Sequence, residues 1–489
     1  MTNNPSLKKM ESKNLIILLV YYMRTIKKRK YNEGVTTSGT ITGGKVIASG
    51  GFGCVFSPAL KCKGAKIRRG KNRISKLLTK KHALQEYNEI QIIKKNLDKI
   101  PNYENYFLLN GFDICKPAKL NKNDLNNFKS KCTALPKDKI TQKNINESLD
   151  SVLSLNMPNG GLPIDDFLLK NNSYKNLINL NNHLINLLNN GIIPMNKNNI
   201  YHCDIKDSNI LIDTTSGFKT RLIDWGLSTE YVPDIDQPFP KTWRNRPFQF
   251  NVPFSIIIFS DLFIEKYSKY IKENGELNHT SLKPFVINFI NLWLKERGPG
   301  HYSYINNIML MLFSNDLSSN NNTTIENNFA LPYICDYIIE VLINFTNYKK
   351  DGSLNLRIYL DNVFIKIVDI WGFIIAYLPI LEALSKNYNK LNKMEIQLFE
   401  TLKNIFIKYL FTPRIIPIKI NELENDLNEL NKIINIKGIR MINKKTSSLK
   451  ISSSKRIKGI TGQTYVVKTS QKIRLKSKSK SKSKTYKKL

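Results

Sequence analysis

Residues 201–213 read YHCDIKDSNILID, with a His, two Asp, a Lys and an Asn crowded between Ile200 and the apolar run Ile210–Ile212. Polar side chains set among apolar ones cost free energy unless they are paired, so this stretch either caps a turn or does chemistry. The order of its residues argues for chemistry. Asp204 can accept a proton from an attacking hydroxyl. Lys206 can neutralise a transferred phosphoryl group. Asn209 offers a carbonyl oxygen, a hard ligand suited to Mg2+. A second stretch, TRLIDWGLS, puts Asp224 after a strand-like run and before a glycine turn, as a second candidate metal ligand. Phosphoryl transfer needs positioned charge, metal and an oriented nucleophile more than covalent help. A polar turn between strands would explain one Asp or Asn, but not the ordered set.

Upstream, KVIASGGFGCVF has the pattern strand, glycine turn, strand, with Gly50, Gly51 and Gly53 in the turn. Glycines let backbone N–H groups approach phosphate oxygens, although a glycine-rich hairpin is more often only a hairpin. NRISKLL reads as a third strand carrying Lys76, whose charge needs a partner if it is buried; an edge-strand lysine in water is the plainer alternative. The amphipathic run KHALQEYNEIQIIKKNL follows, and it offers Glu86 and Glu89 three residues apart.

The chain has 489 residues, 41% apolar and 10% aromatic, enough to build real cores. Its formal charge of +36 favours anionic partners, although abundant Lys, Asn and Ile also fit an AT-rich coding bias. The six cysteines are scattered with no CxxC, which argues against a zinc site or a disulfide framework and for a reducing, intracellular and cytoplasmic setting. LIILLVYYM near the N-terminus falls well short of the ~20 residues that span a bilayer; it would make a poor signal core and is expected instead to be a buried strand or helix turn, or a nonessential extension. No membrane span is expected.

Four regions are expected: a basic extension over 1–42; a strand-rich region over 43–157 with a polar, irregular insertion near 117–148; a helical region over 158–430 with a large insertion near 255–350; and a basic tail over 431–489. SVLSLNM reads as a strand ended by PNGG. SYKNLINLNNHLINLLNNGI reads as a helix with Gly191 as its stop, and VDIWGFIIAYLPILEAL as a core helix. SNDLSSNNNTTIENN reads as a loop. From Met441 onward there are sixteen basic residues and no acidic one, so the tail is expected to be disordered, with sequence-blind attraction for nucleic acid or another acidic partner.

On these residues the chain resembles the eukaryotic-type protein kinases. YHCDIKDSNILID is similar to their catalytic loop H-R-D-L-K-x-x-N, IDWG to D-F-G and ASGGFGCV to the Gly-rich loop. ISKL resembles the strand with the nucleotide lysine, NEIQII the helix with its glutamate partner, and MPNGGLPIDDFL the hinge and following helix. VDIWGF resembles the central helix of the large lobe. The motifs stand in family order over residues 43–430. FSPALKC and ISKL look most like the kinases of large DNA viruses, which would place the protein in host cytoplasm or a virion.

The resemblance implies an α+β, two-lobed fold and an ATP- and Mg2+-dependent serine/threonine protein kinase acting on protein hydroxyls, Lys206 favouring Ser and Thr over Tyr. Asp204 would be the catalytic base and Lys206 would contact the γ-phosphate. Asn209 and Asp224 would hold Mg2+. Ile47, Ser49, Gly50, Gly51, Phe52, Gly53 and Val55 would cover the nucleotide. Lys76 would hold the α/β-phosphates, paired with Glu89, because Ile92 and Ile93 then match the family's apolar pair. Met157, or else Asn159, would meet adenine, Pro158 having no N–H. Asp369 would steady the catalytic loop, and His202 is expected to be a buried, structural histidine.

Departures are clear. Ala48 stands for the first loop glycine, Cys203 for the Arg before the catalytic Asp, and Trp225 for the Phe of D-F-G. With no Arg at 203, no phosphate switch is expected despite Ser228, Thr229 and Thr242. No A-P-E follows, and Asp224 and Asp369 lie 145 positions apart. KTWRNRPFQFNVPFS is expected to form the substrate platform, with Arg244 and Arg246 either favouring acidic or phosphorylated substrates or forming a solvated basic face. Two other functions stand beside the first: a small-molecule kinase of the aminoglycoside or choline type, against which Lys206, Gly226 and the glycine loop argue, and a pseudokinase scaffold, against which the intact Lys, Asp and metal residues argue.

Overall fold

The computed structural model describes residues 44–65, 72–171, 173–215, 217–233, 237–275, 277–313, 330–349 and 352–435, and the backbone of two strands at 454–458 and 464–468. The basic extension, with LIILLVYYM, and the SNDLSSNNNTTIENN segment lie outside the described residues. The architecture is mixed α/β: one antiparallel sheet, a few short strand pairs and many helices.

The main sheet contains β1 (Lys45–Ser49), β2 (Gly53–Ser57), β3 (Arg73–Thr79), β4 (Asp113–Cys115) and β5 (Val152–Pro158), in the spatial order β1-β2-β3-β5-β4, every neighbour antiparallel. Helix α1 (Lys80–Leu97) follows β3 directly. It buries Ala83, Ile90, Ile93 and Leu97, the single apolar stripe that helical spacing allows. Successive side chains of β3 point to opposite faces, and the two leucines show it. Leu78 joins α1 in the main core, whereas Leu77 joins Val46, Cys54 and Phe56 in a second, smaller core.

The 117–148 insertion closes that second core. It is mostly turns and short helices, as its composition suggests, yet it buries Leu120, Phe128, Leu135, Ile140 and Ile145 against the sheet. Asp124 accepts the Gly44 N–H at 2.8 Å, and Ser49 Oγ accepts the N–H groups of Thr133 and Ala134 at 3.1 Å each. Two disulfides, Cys54–Cys132 and Cys62–Cys115, tie the same region together. This corrects the reading of scattered cysteines: partners 78 and 53 positions apart meet because the fold brings them together. The argument from cysteine usage for a reducing compartment goes with it.

Beyond β5 a short β-arch and a run of helices follow. Strand pairs β6 (Leu162–Pro163), β7 (Ile210–Asp213) and β8 (Lys219–Leu222) form a three-stranded sheet. Helix α2 (Tyr174–Leu187) opens with Ser173 capping the Asn176 N–H. It does not stop at Gly191: a π-type turn over Leu188–Ile192 carries the chain into another helix at Ile193–Lys197. Gly191 is there for closeness, since a Cβ would lie 2.9 Å from Tyr106 Cβ.

The described residues of the 255–350 region are mostly helical. It contains α3 (Asp261–Glu273), α4 (His279–Arg297), α5 (Tyr302–Phe313) and α6 (Ala330–Phe345). The apolar VDIWGFIIAYLPILEAL run forms α7 (Ile365–Ile375) and α8 (Leu378–Lys386), divided at Ala376–Tyr377. The 30-residue stretch Arg357–Lys386 is long and apolar enough to cross a membrane, but 89% of its most apolar window is buried inside the protein. Helices α9 (Lys393–Tyr409) and α10 (Ile420–Asn435) complete this part. Ile433 and Ile434 are buried, so ordered chain runs past residue 431, the expected start of the tail. Within that tail the backbones of 454–458 and 464–468 pair antiparallel.

Candidate active site

The stretch around Asp204 sits between α7 below and the 241–251 segment above. Asp369, on α7, accepts the N–H groups of His202 at 2.9 Å and Cys203 at 2.8 Å, and the side-chain amide of Asn196 at 2.8 Å. Gly372 lets α7 approach this closely: a Cβ there would lie 2.5 Å from the Ile205 carbonyl oxygen. His202 is fully buried, its Nε2 3.0 Å from the Ile223 carbonyl, and burial favours its neutral imidazole. Cys203 adopts φ +57°, in the left-handed region uncommon for a side-chain-bearing residue.

Asp204 is held at both carboxylate oxygens. Oδ2 accepts from Lys206 Nζ at 2.8 Å and Asn209 Nδ2 at 2.9 Å; Oδ1 accepts from Asn251 Nδ2 at 2.8 Å. Burial works against ionisation, but the Lys206 ammonium, the Asn251 amide and the Arg246 guanidinium outweigh it and hold Asp204 below the usual carboxylate range. Asn209 also donates to the Asp204 carbonyl at 2.8 Å. Its nitrogen is thereby committed and its carbonyl oxygen turned the other way. Asp224 has φ +68° and an exposed side chain. Trp225 beside it is buried against Phe107 and His202, with ring centroids at 5.6 and 4.7 Å.

Lys76 pairs with Glu86, not with Glu89. Its Nζ lies 2.7 and 2.8 Å from the two Glu86 oxygens. Glu89 instead accepts from Gln85 on the exposed face of α1. The expectation for Glu89 leaned on Ile92 and Ile93 as an apolar pair, and Ile92 is 60% exposed. Burial raises the Glu86 pKa, Lys76 opposes this, and the charge of Asp224 adds to the rise. Asp224 is therefore among the charges felt by the Lys76–Glu86 pair, which links the two halves of the site.

The glycine turn lies over Lys76: a Cβ on Gly50 would stand 3.7 Å from its Cε. Val55 is paired directly with Lys76 across β2 and β3. Ile47 and Ser49 lie half-buried on β1, Gly51 is exposed, and Gly53 opens β2. Phe52 is 61% exposed, its ring 4.5 Å from that of His82 on α1. Met157 is half-buried on β5 opposite Ile74. The Asn159 N–H is already committed to the Asn72 carbonyl at 2.8 Å.

Among the described residues no group of three or more His, Cys, Asp or Glu side chains could hold a metal. The donor set at Asn209 and Asp224, one amide oxygen and one carboxylate, instead fits Mg2+, which binds through one or two protein oxygens and keeps phosphate and water for the rest.

Three residues of this site carry no motif signal. Asn251 lies 47 positions from Asp204, and Arg246 lies 43 positions from Cys203, whose carbonyl it contacts. His301, whose Nδ1 is buried without a partner, feels burial first and then the charges of Lys206, Asp204 and Arg246. Arg246 corrects an expectation: it is 6% exposed and faces the loop around Asp204, so it offers nothing to a substrate's acidic groups. Arg244 is 3.5 Å from Asp261.

No protein-family model matches the chain, and no curated protein does. Among solved structures, a Plasmodium kinase domain matches at 16% identity and a TM-score of 0.26, over 44% of this chain and 57% of that one. The alignment spans little more than half of that domain and carries no weight for activity.

Proposed function

We propose that the chain is a kinase-like phosphotransferase with the two-lobed arrangement of that fold, and that it moves the γ-phosphate of ATP to Ser and Thr hydroxyls of proteins in a Mg2+-dependent reaction. One observation carries this reading: Asp204 is gripped by Lys206 and Asn209, while Lys76 and Glu86 are paired under a glycine turn within reach of Asp224's charge. A structural turn would need none of the second set.

In this reading Asp204 takes the proton of the acceptor hydroxyl. Its depressed proton affinity keeps it ionised and ready. Lys206, half-exposed beside it, moves its ammonium to the transferring phosphoryl group. Lys76 holds the nucleotide's phosphates. Asn209 and Asp224 would hold Mg2+, which when bound neutralises phosphate charge. Turnover of ATP on a generic Ser/Thr protein tests this, with Asp204→Asn beside the wild type. Transfer to protein that falls about 10²–10⁴-fold in the variant, with ADP affinity retained, supports the reading. Transfer only to a small alcohol, or equal transfer by both proteins, overturns it.

A further inference from the structure

We infer that Arg246, inserted into the catalytic loop from the segment after Asp224, is a positioning residue for Asp204. The inference rests on the phosphotransferase reading and names a device that reading does not contain.

The 241–251 segment grips the catalytic loop at several points. Arg246 Nη1 donates to the Cys203 carbonyl at 2.7 Å, and Nη2 stands 3.9 Å from Asp204 Oδ1. Asn251 Nδ2 reaches that same Oδ1 at 2.8 Å and the Ile205 carbonyl at 3.2 Å. Trp243 Nε1 lies 3.1 Å from Cys203 Sγ. The carbonyls of 203 and 205 and one oxygen of Asp204 are thus held from above, while Asp369 holds the N–H groups of 202 and 203 from below.

Arg246 is a poor choice for stability alone. A buried cation is costly unless it is paired and its N–H groups filled, and Nε and Nη2 of Arg246 have no hydrogen-bond partner. What the guanidinium gains is the field of Asp204, with Asp369 also near. Lys206 is partly exposed and, in the proposed reaction, turns to the phosphoryl group; Arg246 is sealed in. When Lys206 turns to substrate, Asn251 still bonds Oδ1 and the Arg246 guanidinium, 3.9 Å away, still attracts it, which keeps the carboxylate aimed. The large insertion has a part in this: Trp293 of α4 donates to the Arg246 carbonyl at 3.1 Å, and Arg297 donates to Asn245 at 2.5 Å. The helices inserted between Asp224 and Asp369 thereby brace the segment that braces the base.

The test uses the full chain and a protein acceptor on which the wild type is first shown to be active; an inactive wild type would sink the function reading, not this inference. Arg246→Ala is expected to lower kcat about 10²-fold, the scale on which misplacing a reacting group acts, while KM for ATP stays within about twofold, because Lys76 and the glycine turn are untouched. Millimolar guanidinium chloride is expected to restore at least tenfold of the loss, and equal sodium chloride none. Should Arg246→Ala fail to fold, Arg246→Lys keeps the charge but not the fork, and is expected to show the same kcat loss with unchanged KM. A kcat within twofold of wild type in either variant, a loss shared equally between kcat and ATP affinity, or a loss that guanidinium does not relieve overturns the inference.

Discussion

Lys76 Nζ lies between the two carboxylate oxygens of Glu86, at 2.7 and 2.8 Å, across the junction of β3 and α1. The pair is mostly shielded from water, so it is little screened, and it fixes the lysine where the glycine turn comes down. Glu86→Gln is expected to weaken nucleotide binding and turnover about tenfold by freeing Lys76. Glu89→Gln is expected to change neither, since Glu89 bonds Gln85 on the exposed face of α1 and not Lys76. Equal effects of the two variants on ATP turnover would refute the assignment.

Asp207 lies two positions before Asn209. Burial first, and then the Asp165 carboxylate, push its pKa up to about 6 from 3.8. The fold thus disfavours its charged form. The penalty is absent below about pH 4, grows as pH rises through the interval, and is complete above about pH 6. Asp207→Asn is therefore expected to raise stability at pH 7.5 by about 1–2 kcal/mol, after allowing for its partial exposure, and to change little at pH 4. Denaturant midpoints in the presence of a chelator measure this. A variant no more stable than wild type at pH 7.5 would count against it.

Cys54 follows the last glycine of the turn and is bonded to Cys132 in the insertion, with Ser49 holding the same insertion from the other strand. Cys132→Ser should therefore cost stability, about 2–4 kcal/mol, and loosen the turn over Lys76. Thermal unfolding with and without a reductant reads the first effect, and ADP affinity the second. If wild-type protein shows no reductant-dependent change in Tm, the link contributes nothing.

Gly372 is the contact point of α7 with the loop around Asp204. Gly372→Ala forces a Cβ to 2.5 Å from the Ile205 carbonyl, a backbone atom with no room to yield. It is expected to cost about 1–3 kcal/mol and to lower kcat by displacing Asp204, with Tm and turnover falling together. An alanine variant of wild-type Tm and rate would mean the loop moves freely.

The chemistry-bearing residues were legible because they are short-range. Asp204, Lys206 and Asn209 stand within six residues, and a chain that crowds such groups among isoleucines must satisfy them locally. The strands and α1 were legible from period, since two- and three-to-four-residue repeats follow from backbone geometry alone. Tertiary structure decided what depends on which distant residue arrives. Glu86 and Glu89 are alike in spacing arguments, and only the rotation of α1 on the sheet turns one of them to Lys76. Cys54 and Cys132, 78 positions apart, become partners when the insertion folds against the sheet, and Cys62 meets Cys115 at the end of β4. Arg246 reads as surface charge in sequence, and becomes a buried neighbour of Asp204 once α4 presses its segment onto the loop. Local order sets which chemistry a chain can attempt, because it is written in neighbouring residues; partners across the fold are set by packing, which no short window of sequence contains.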